Sequence, residues 1–258
     1  MPEAQPVRQD PNLPSGEPLD KSGARVRSMF AQIAPRYDLL NHLLSLGIDV
    51  YWRRRAMNRL RLDKSTPVLD CCTGTGDLAL MIARRLDGRA EVVGTDFCEE
   101  MLQIARTKHA RKFAALPVRF ETADTMHLPF DDGSFQAVTV AFGLRNVQDT
   151  LQGLHELVRV CEPGGQVCVL EFSKPTLPGF RHVYNFYFRA VLPRVGQWLA
   201  RNEKGAYNYL PASVQAFPCG EQLVQLMEQS GLTDVRAYPL TFGVATIYIG
   251  NRLEHKQP

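Results

Sequence analysis

The stretch Asp70-Cys71-Cys72-Thr73-Gly74-Thr75-Gly76-Asp77 constrains this chain more than any other. It follows a short apolar run, Pro67-Val68-Leu69-Asp70, and leads into a helical pattern over residues 77–86. A strand that passes through glycines straight into a helix brings bare backbone and unpaired helical N–H groups to one point. Turns of this kind hold ligands at the end of a sheet. Gly-x-Gly alone is a weak signal, and its place between strand and helix strengthens it.

The same alternation continues downstream. Residues 91–96, 118–123 and 135–141 read as strands, and residues 166–172 as a fifth after a tight turn at Pro163-Gly164-Gly165. Helical patterns separate them, one through Met101, Ile104 and Ala105 and one over residues 151–160. This order predicts βαβ units and a parallel sheet. A helix over residues 221–229, ended by Gly231, precedes two strands at 234–240 and 244–249 around a short glycine-containing turn. That is a hairpin signal. The expected fold is therefore α/β: a Rossmann-like, mostly parallel sheet of seven strands with a C-terminal antiparallel hairpin.

The flanks differ from this core. Residues 1–22 are rich in Pro, Asp and Glu, lack an apolar stretch and read as a disordered tail rather than a signal peptide. Residues 23–60 read as N-terminal helices, with Leu39, Leu40, Leu43, Leu44 and Ile48 at helical spacing, Gly47 ending a turn and Trp52 opening the next helix. Residues 176–217 break the alternation with Phe180, Tyr184, Phe186, Tyr187, Phe188 and Trp198 among arginines, and read as a helical lid inserted into one domain spanning 23–258.

Composition narrows the partners. A net charge of +3 over 258 residues argues against nucleic acid as an obligate partner and leaves room for weak attraction to anionic lipid. No apolar run approaches the roughly 20 residues a membrane helix needs, so the expectation is a soluble, cytoplasmic protein whose membrane contact is peripheral. The six cysteines form no CxxC pair and no zinc-like spacing with histidine, which predicts free thiols and no metal.

The site chemistry follows from where the polar residues fall. Asp96 ends the second strand about 20 residues past Gly76, the spacing at which a carboxylate meets ribose hydroxyls. The third glycine of the dinucleotide fingerprint is missing. Asp70, an acid just ahead of the turn, repels phosphate and suits an ammonium. S-adenosylmethionine carries an ammonium, a carboxylate and a ribose but no phosphate, so Asp70, Gly74, Thr75, Gly76 and Asp96 point to it rather than to a nicotinamide dinucleotide. Asp124 and Thr125 end the third strand, placed for the adenine amino group and a ring nitrogen. Phe142-Gly143-Leu144-Arg145-Asn146 follows the fourth strand, where an acceptor would lie beside the cofactor. Arg145 stays charged and suits stabilising a phenolate, while Asn146 suits orienting a hydroxyl. His127 is a candidate general base. The competing readings are a nicotinamide-dependent oxidoreductase and a non-catalytic S-adenosylmethionine-binding protein.

Four stretches resemble the quinone-biosynthesis C-methyltransferase family: Tyr37-Asp38-Leu39-Leu40-Asn41-His42-Leu43-Leu44-Ser45 with Trp52, the turn Asp70–Asp77, Ala141–Asn146, and Arg159–Gly165 with Glu171-Phe172-Ser173. The resemblance implies a class I methyltransferase sheet, S-adenosylmethionine at Thr75, Asp96, Asp124 and Thr125, and a polyprenylated quinol substrate. It implies C-methylation of demethylmenaquinol in menaquinone biosynthesis, with the benzoquinol precursor of ubiquinone as the alternative acceptor. The turn sequence and Ala141 incline towards the menaquinone branch.

Overall fold

Seven strands form one sheet in the order β3-β2-β1-β4-β5-β7-β6. They are β1 (Val68–Cys71), β2 (Val92–Asp96), β3 (Val118–Thr122), β4 (Phe135–Ala141), β5 (Cys161–Phe172), β6 (Leu232–Leu240) and β7 (Ala245–Arg252). The computed structural model describes residues 21–175, Leu177 and residues 206–254. The expected N-terminal tail and most of the expected lid lie outside these residues. All neighbouring pairs are parallel except β5–β7 and β6–β7. The strand order reverses between β1 and β4, and a crevice forms outside the carboxyl ends of the strands at that switch point.

Helices cover both faces, which explains why β1, β2 and β4 are almost uninterrupted runs of buried residues. Side chains alternate between the two faces with the period of the pleat. Val68, Val92 and Ala137 pack with α3 (Ile48–Met57) and α4 (Asp77–Leu86). Leu69, Val93 and Val138 pack with α6 (Thr150–Val160) and α8 (Glu221–Gln229). Asp149 caps α6 by accepting the Gln152 N–H at 3.0 Å. The remaining helices are α1 (Gly23–Ile33), α2 (Tyr37–Leu44), α5 (Glu99–Lys112) and α7 (Ala206–Ala216).

Two local expectations change. Trp52 lies in the middle of α3 rather than at its start, because Gly47, at φ 75°, ends the preceding turn and lets α3 begin at Ile48. Its indole donates to Thr241 Oγ1 at 2.8 Å and pins the helix to the β6–β7 connection. Pro163-Gly164-Gly165 is not a turn ahead of β5 but an irregularity within it. Cys161 pairs with Phe135 and Gln166 with Ala137, so the residues between bulge out of the ladder. None of the helices among the described residues is long and apolar enough to cross a membrane. All six cysteines are free.

Candidate cofactor cleft

A cleft opens at the switch point, lined from one side by the ends of β1, β2 and β4 and from the other by the N-terminal helices. Asp70 sits at its floor. Thr139 donates to Oδ1 and Thr73 to Oδ2, both at 2.6 Å. Burial pushes this carboxyl up to about 6, against the pull of those hydroxyls.

The two glycines of the turn do different work. Gly74, at φ 55°, faces open space, and a Cβ there would meet only Tyr37 Cε1 at 3.9 Å. Gly76, at φ 81°, is a packing position: a Cβ would press on Ala105 Cβ and Phe120 Cζ at 3.0 Å. Gly76 accordingly does not line the cleft. Asp96 holds the turn in place. Its Oδ2 accepts the Gly74 N–H and its Oδ1 the Cys98 N–H, each at 2.9 Å. Burial raises this carboxyl to about 6 as well, with the backbone N–H groups opposing.

Asp124 and Thr125 line the cleft past β3. Asp124 accepts the Met126 N–H at 2.9 Å, an Asx turn that fixes the loop. Thr125 Oγ1 lies 3.3 Å from Cys72 Sγ. Thr75 also lines the cleft, but its hydroxyl turns to the helical cover: it donates to Asp38 at 2.6 Å and accepts from Lys108 Nζ at 3.0 Å. His127 is exposed and stands outside the cleft, away from the place a general base would need.

Asn146 and Arg145 part company. Asn146 lines the cleft, and its buried Oδ1 has no hydrogen-bond partner among the described residues. Arg145 is turned away from it. Its Nη1 meets Glu171 Oε1 at 2.9 Å and also donates to the Phe142 carbonyl, while the guanidinium lies 5.3 Å from the Phe172 ring centre. The cause is Glu171, a carboxylate only 1% exposed on β5 that needs a buried cation. The expected direct contact of Arg145 with an acceptor is thus replaced by a contact with the wall that carries Phe142 and Asn146.

The N-terminal helices and the residues just ahead of them add cleft residues for which the motif reading offered no role: Lys21, Phe30, Tyr37 and Arg53. Tyr37 and the Trp52 neighbourhood stood inside a recognised signature, yet nothing local showed which side chains turn inward. Lys108 of α5 ties this cover down, reaching Asp38 and Asp77 at 2.6 Å each. Burial of Lys21 lowers its ammonium pKa, with Glu171 opposing the shift. Tyr37 is pushed up by burial and stays a neutral phenol, bonded to Asn41.

The donor set suits S-adenosylmethionine. Asp70, Asp96 and Asp124 mark out three carboxylates along β1–β3, a wall that favours an ammonium and a ribose diol and repels a diphosphate. The open cradle at Gly74 leaves room for close approach. No group of His, Cys, Asp and Glu suited to a metal occurs among the described residues.

Fold and cleft together define a class I, S-adenosylmethionine-dependent methyltransferase. The structure resembles a SAM-dependent methyltransferase from Thermotoga maritima with a TM-score of 0.62 and 16% identity, over 88% of this chain and 99% of that one. It resembles the [4+2]-cyclase SpnF with a TM-score of 0.67 and 17% identity, over 93% and 100% of the two chains. Over residues 19–252 the chain matches the ubiE/COQ5 methyltransferase family, and it belongs to that family. It is 53% identical to the demethylmenaquinone methyltransferase of Thermus thermophilus over 225 residues, 87% of this chain and 100% of the relative. It is 47% identical to the ubiquinone/menaquinone biosynthesis C-methyltransferase UbiE of Geobacter sp. strain M21 over 234 residues, 91% and 99% of the two chains.

Proposed function

We propose that this methyltransferase C-methylates demethylmenaquinol to menaquinol. The observation that carries this is the likeness to a demethylmenaquinone methyltransferase along that relative's entire length. The cyclase likeness is a reminder that the sheet by itself does not choose a reaction. Residues 23–258 are taken as one methyltransferase domain, with the segment 176–217 as its lid.

When bound, S-adenosylmethionine supplies an electrophilic methyl group. The chain's own part is positioning, because in-line displacement gains most from a held geometry. Asp70 would take the ammonium, Asp96 the ribose hydroxyls, and Asp124 with Thr125 the adenine edge. Gly74 and Thr75 would border the amino-acid arm, and Gly76 would set the helix behind it. The partnerless Asn146 Oδ1 is an acceptor for a quinol hydroxyl. Drawing that proton towards it enriches the ring carbon that attacks. Arg145 is a positioning residue in this reading: held by Glu171, it fixes the Phe142 carbonyl and hence the turn that presents Asn146.

Incubating the protein with labelled cofactor and a quinol panel, then detecting product by mass, tests the assignment. Methylated demethylmenaquinol is expected, and absence of product from every quinol overturns it. The second reading, methylation of the ubiquinone precursor, is favoured by the relative whose name carries both quinones. The two acceptors side by side decide between them. A polyprenyl tail also favours a cytoplasmic protein in peripheral contact with the membrane, and exposed Leu46 and Tyr51 beside the cover suit such contact. Flotation with liposomes is expected, and its absence with and without quinol removes that part.

A further inference from the structure

The three carboxylates leave one part of the cofactor without a partner: its amino-acid carboxylate. That group needs a cation near the ammonium site. Among the described residues two cations line the cleft, Lys21 and Arg53. Their surroundings separate them. Among the charges felt by Lys21 are those of Glu171 and Arg145, on the acceptor side. Arg53 acts on Asp70, at the head of the glycine turn.

Arg53 projects from α3, and only 7% of it is exposed. Its Nη1 is paired with Asp49, its neighbour one helical turn earlier, and its guanidinium lies 5.6 Å from the centre of the Phe142 ring. Asp49 is its sole hydrogen-bonding or ion-pairing partner among the described residues. A guanidinium has five N–H donors, so most of this fork is unspent where it meets the cleft. Asp49 in turn is held from behind. Ser45 Oγ donates to it at 2.7 Å and His42 Nδ1 lies 3.1 Å away. Three side chains at the α2–α3 corner, His42, Ser45 and Asp49, therefore fix the direction of one guanidinium, an arrangement beyond what a surface ion pair needs.

We propose that Arg53 binds the carboxylate of the cofactor's amino-acid arm, while Asp70 binds its ammonium. The two residues form a clamp for an α-amino acid, one jaw on the sheet and the other on the helical cover. Planar, bidentate recognition of carboxylate is what arginine does best, and Ser45, His42 and Asp49 supply the preorganisation. The proposal rests on the cofactor assignment and is independent of the acceptor.

The test is binding, by calorimetry, of two probes: S-adenosylhomocysteine and its decarboxylated analogue, S-adenosyl-3-thiopropylamine, which keeps the ammonium. Arg53→Gln is expected to weaken the first by roughly 10- to 100-fold, the usual size of a charge-assisted bond, and the second by less than about threefold. The wild-type preference for the carboxylated probe then disappears. Equal weakening of both probes overturns the proposal, since it signals a merely structural role. Unchanged binding of both, with a raised KM for the acceptor, overturns it too and moves Arg53 to the acceptor. If Arg53→Gln does not fold, Arg53→Lys replaces it. Retention of charge with loss of the fork then lowers S-adenosylhomocysteine affinity about three- to tenfold and spares the amine, and no selective loss overturns the proposal. Failure of the wild-type protein to bind either probe overturns the cofactor assignment itself.

Discussion

The two walls of the cleft are built on different principles. The sheet wall, from Asp70 to Asn146, is made of strand ends whose backbone is fixed by parallel ladders and whose polar groups are bonded inward. The cover, α1–α3, is joined to that wall by side chains: Lys108 to Asp38 and Asp77, Asp38 to Thr75, Trp52 to Thr241. A wall held by backbone keeps its geometry without a ligand. Within the cover, α3 adds Trp52, Ala56 and Met57 to the core and stays with the sheet, whereas α1 and α2, held mainly by a small cluster around Ala34 and by half-buried polar ties, open at less cost. The difference teaches that the cofactor proposed for this cleft would meet a wall of fixed geometry on the sheet side and a more yielding one at the cover.

The contrast breaks first, if it breaks, at Glu171. Glu171→Gln leaves the Arg145 charge buried without its counter-ion and should cost about 3–5 kcal/mol of global stability. Urea denaturation measures it. A loss under about 1 kcal/mol would mean the sheet wall is as loosely held as the cover. Asp96→Asn comes next. It replaces one of the two carboxylate oxygens that accept backbone N–H groups at the turn, removes the charge proposed to face a ribose, and should weaken S-adenosylhomocysteine about 10- to 100-fold by calorimetry.

The pH dependence sharpens the same point. Asp70 and Asp96 both titrate near about 6 in the folded protein, above the ordinary value of 3.8. Between the two values the folded state holds more protons than the unfolded one, so the stability of the free protein should fall as pH rises from 4 to 6. An ammonium or a ribose diol favours the ionised carboxylates, so cofactor affinity should run the other way. It should decline below pH 6 by up to about tenfold per unit for each carboxylate involved. Thermal melts whose slope flattens when S-adenosylhomocysteine is bound would establish this, and parallel slopes would remove the carboxylates from the site. The smallest effect belongs to the cover. Lys108→Met cuts the ties to Asp38 and Asp77, worth about 0.5–1 kcal/mol together, and should weaken cofactor binding two- to fivefold with global stability nearly unchanged. If it lowers stability as much as Glu171→Gln, sheet and cover unfold as one unit and the distinction fails.

What could be read from the chain follows the same division. The strand–glycine–helix turn was legible because period and glycine placement are local, and α4 and β4 occupy the residues expected of them. So was the C-terminal hairpin. The inward turn of Arg145 was not legible, because its partner Glu171 is a neighbour only through the β4–β5 ladder. Arg53 was not legible for another reason: its partner Asp49 is local, but a basic helix with inward positions at helical spacing reads like any amphipathic surface helix. Pro163-Gly164-Gly165 carries a turn's composition, and only the register with β4 shows that the strand resumes on both sides of it.

At the switch point, Cys72 and Gly143 fill one space between them. A side chain on Gly143 would place its Cβ 2.3 Å from Cys72 Cβ, and Cys72 itself occupies a left-handed conformation at φ 49°. Neither position is free to drift alone: a larger residue at 143 has no room while any side chain stands at 72. Across related sequences these sites, far apart in the chain, should behave as a single heritable unit, with bulk at one permitted only where the other has given it up.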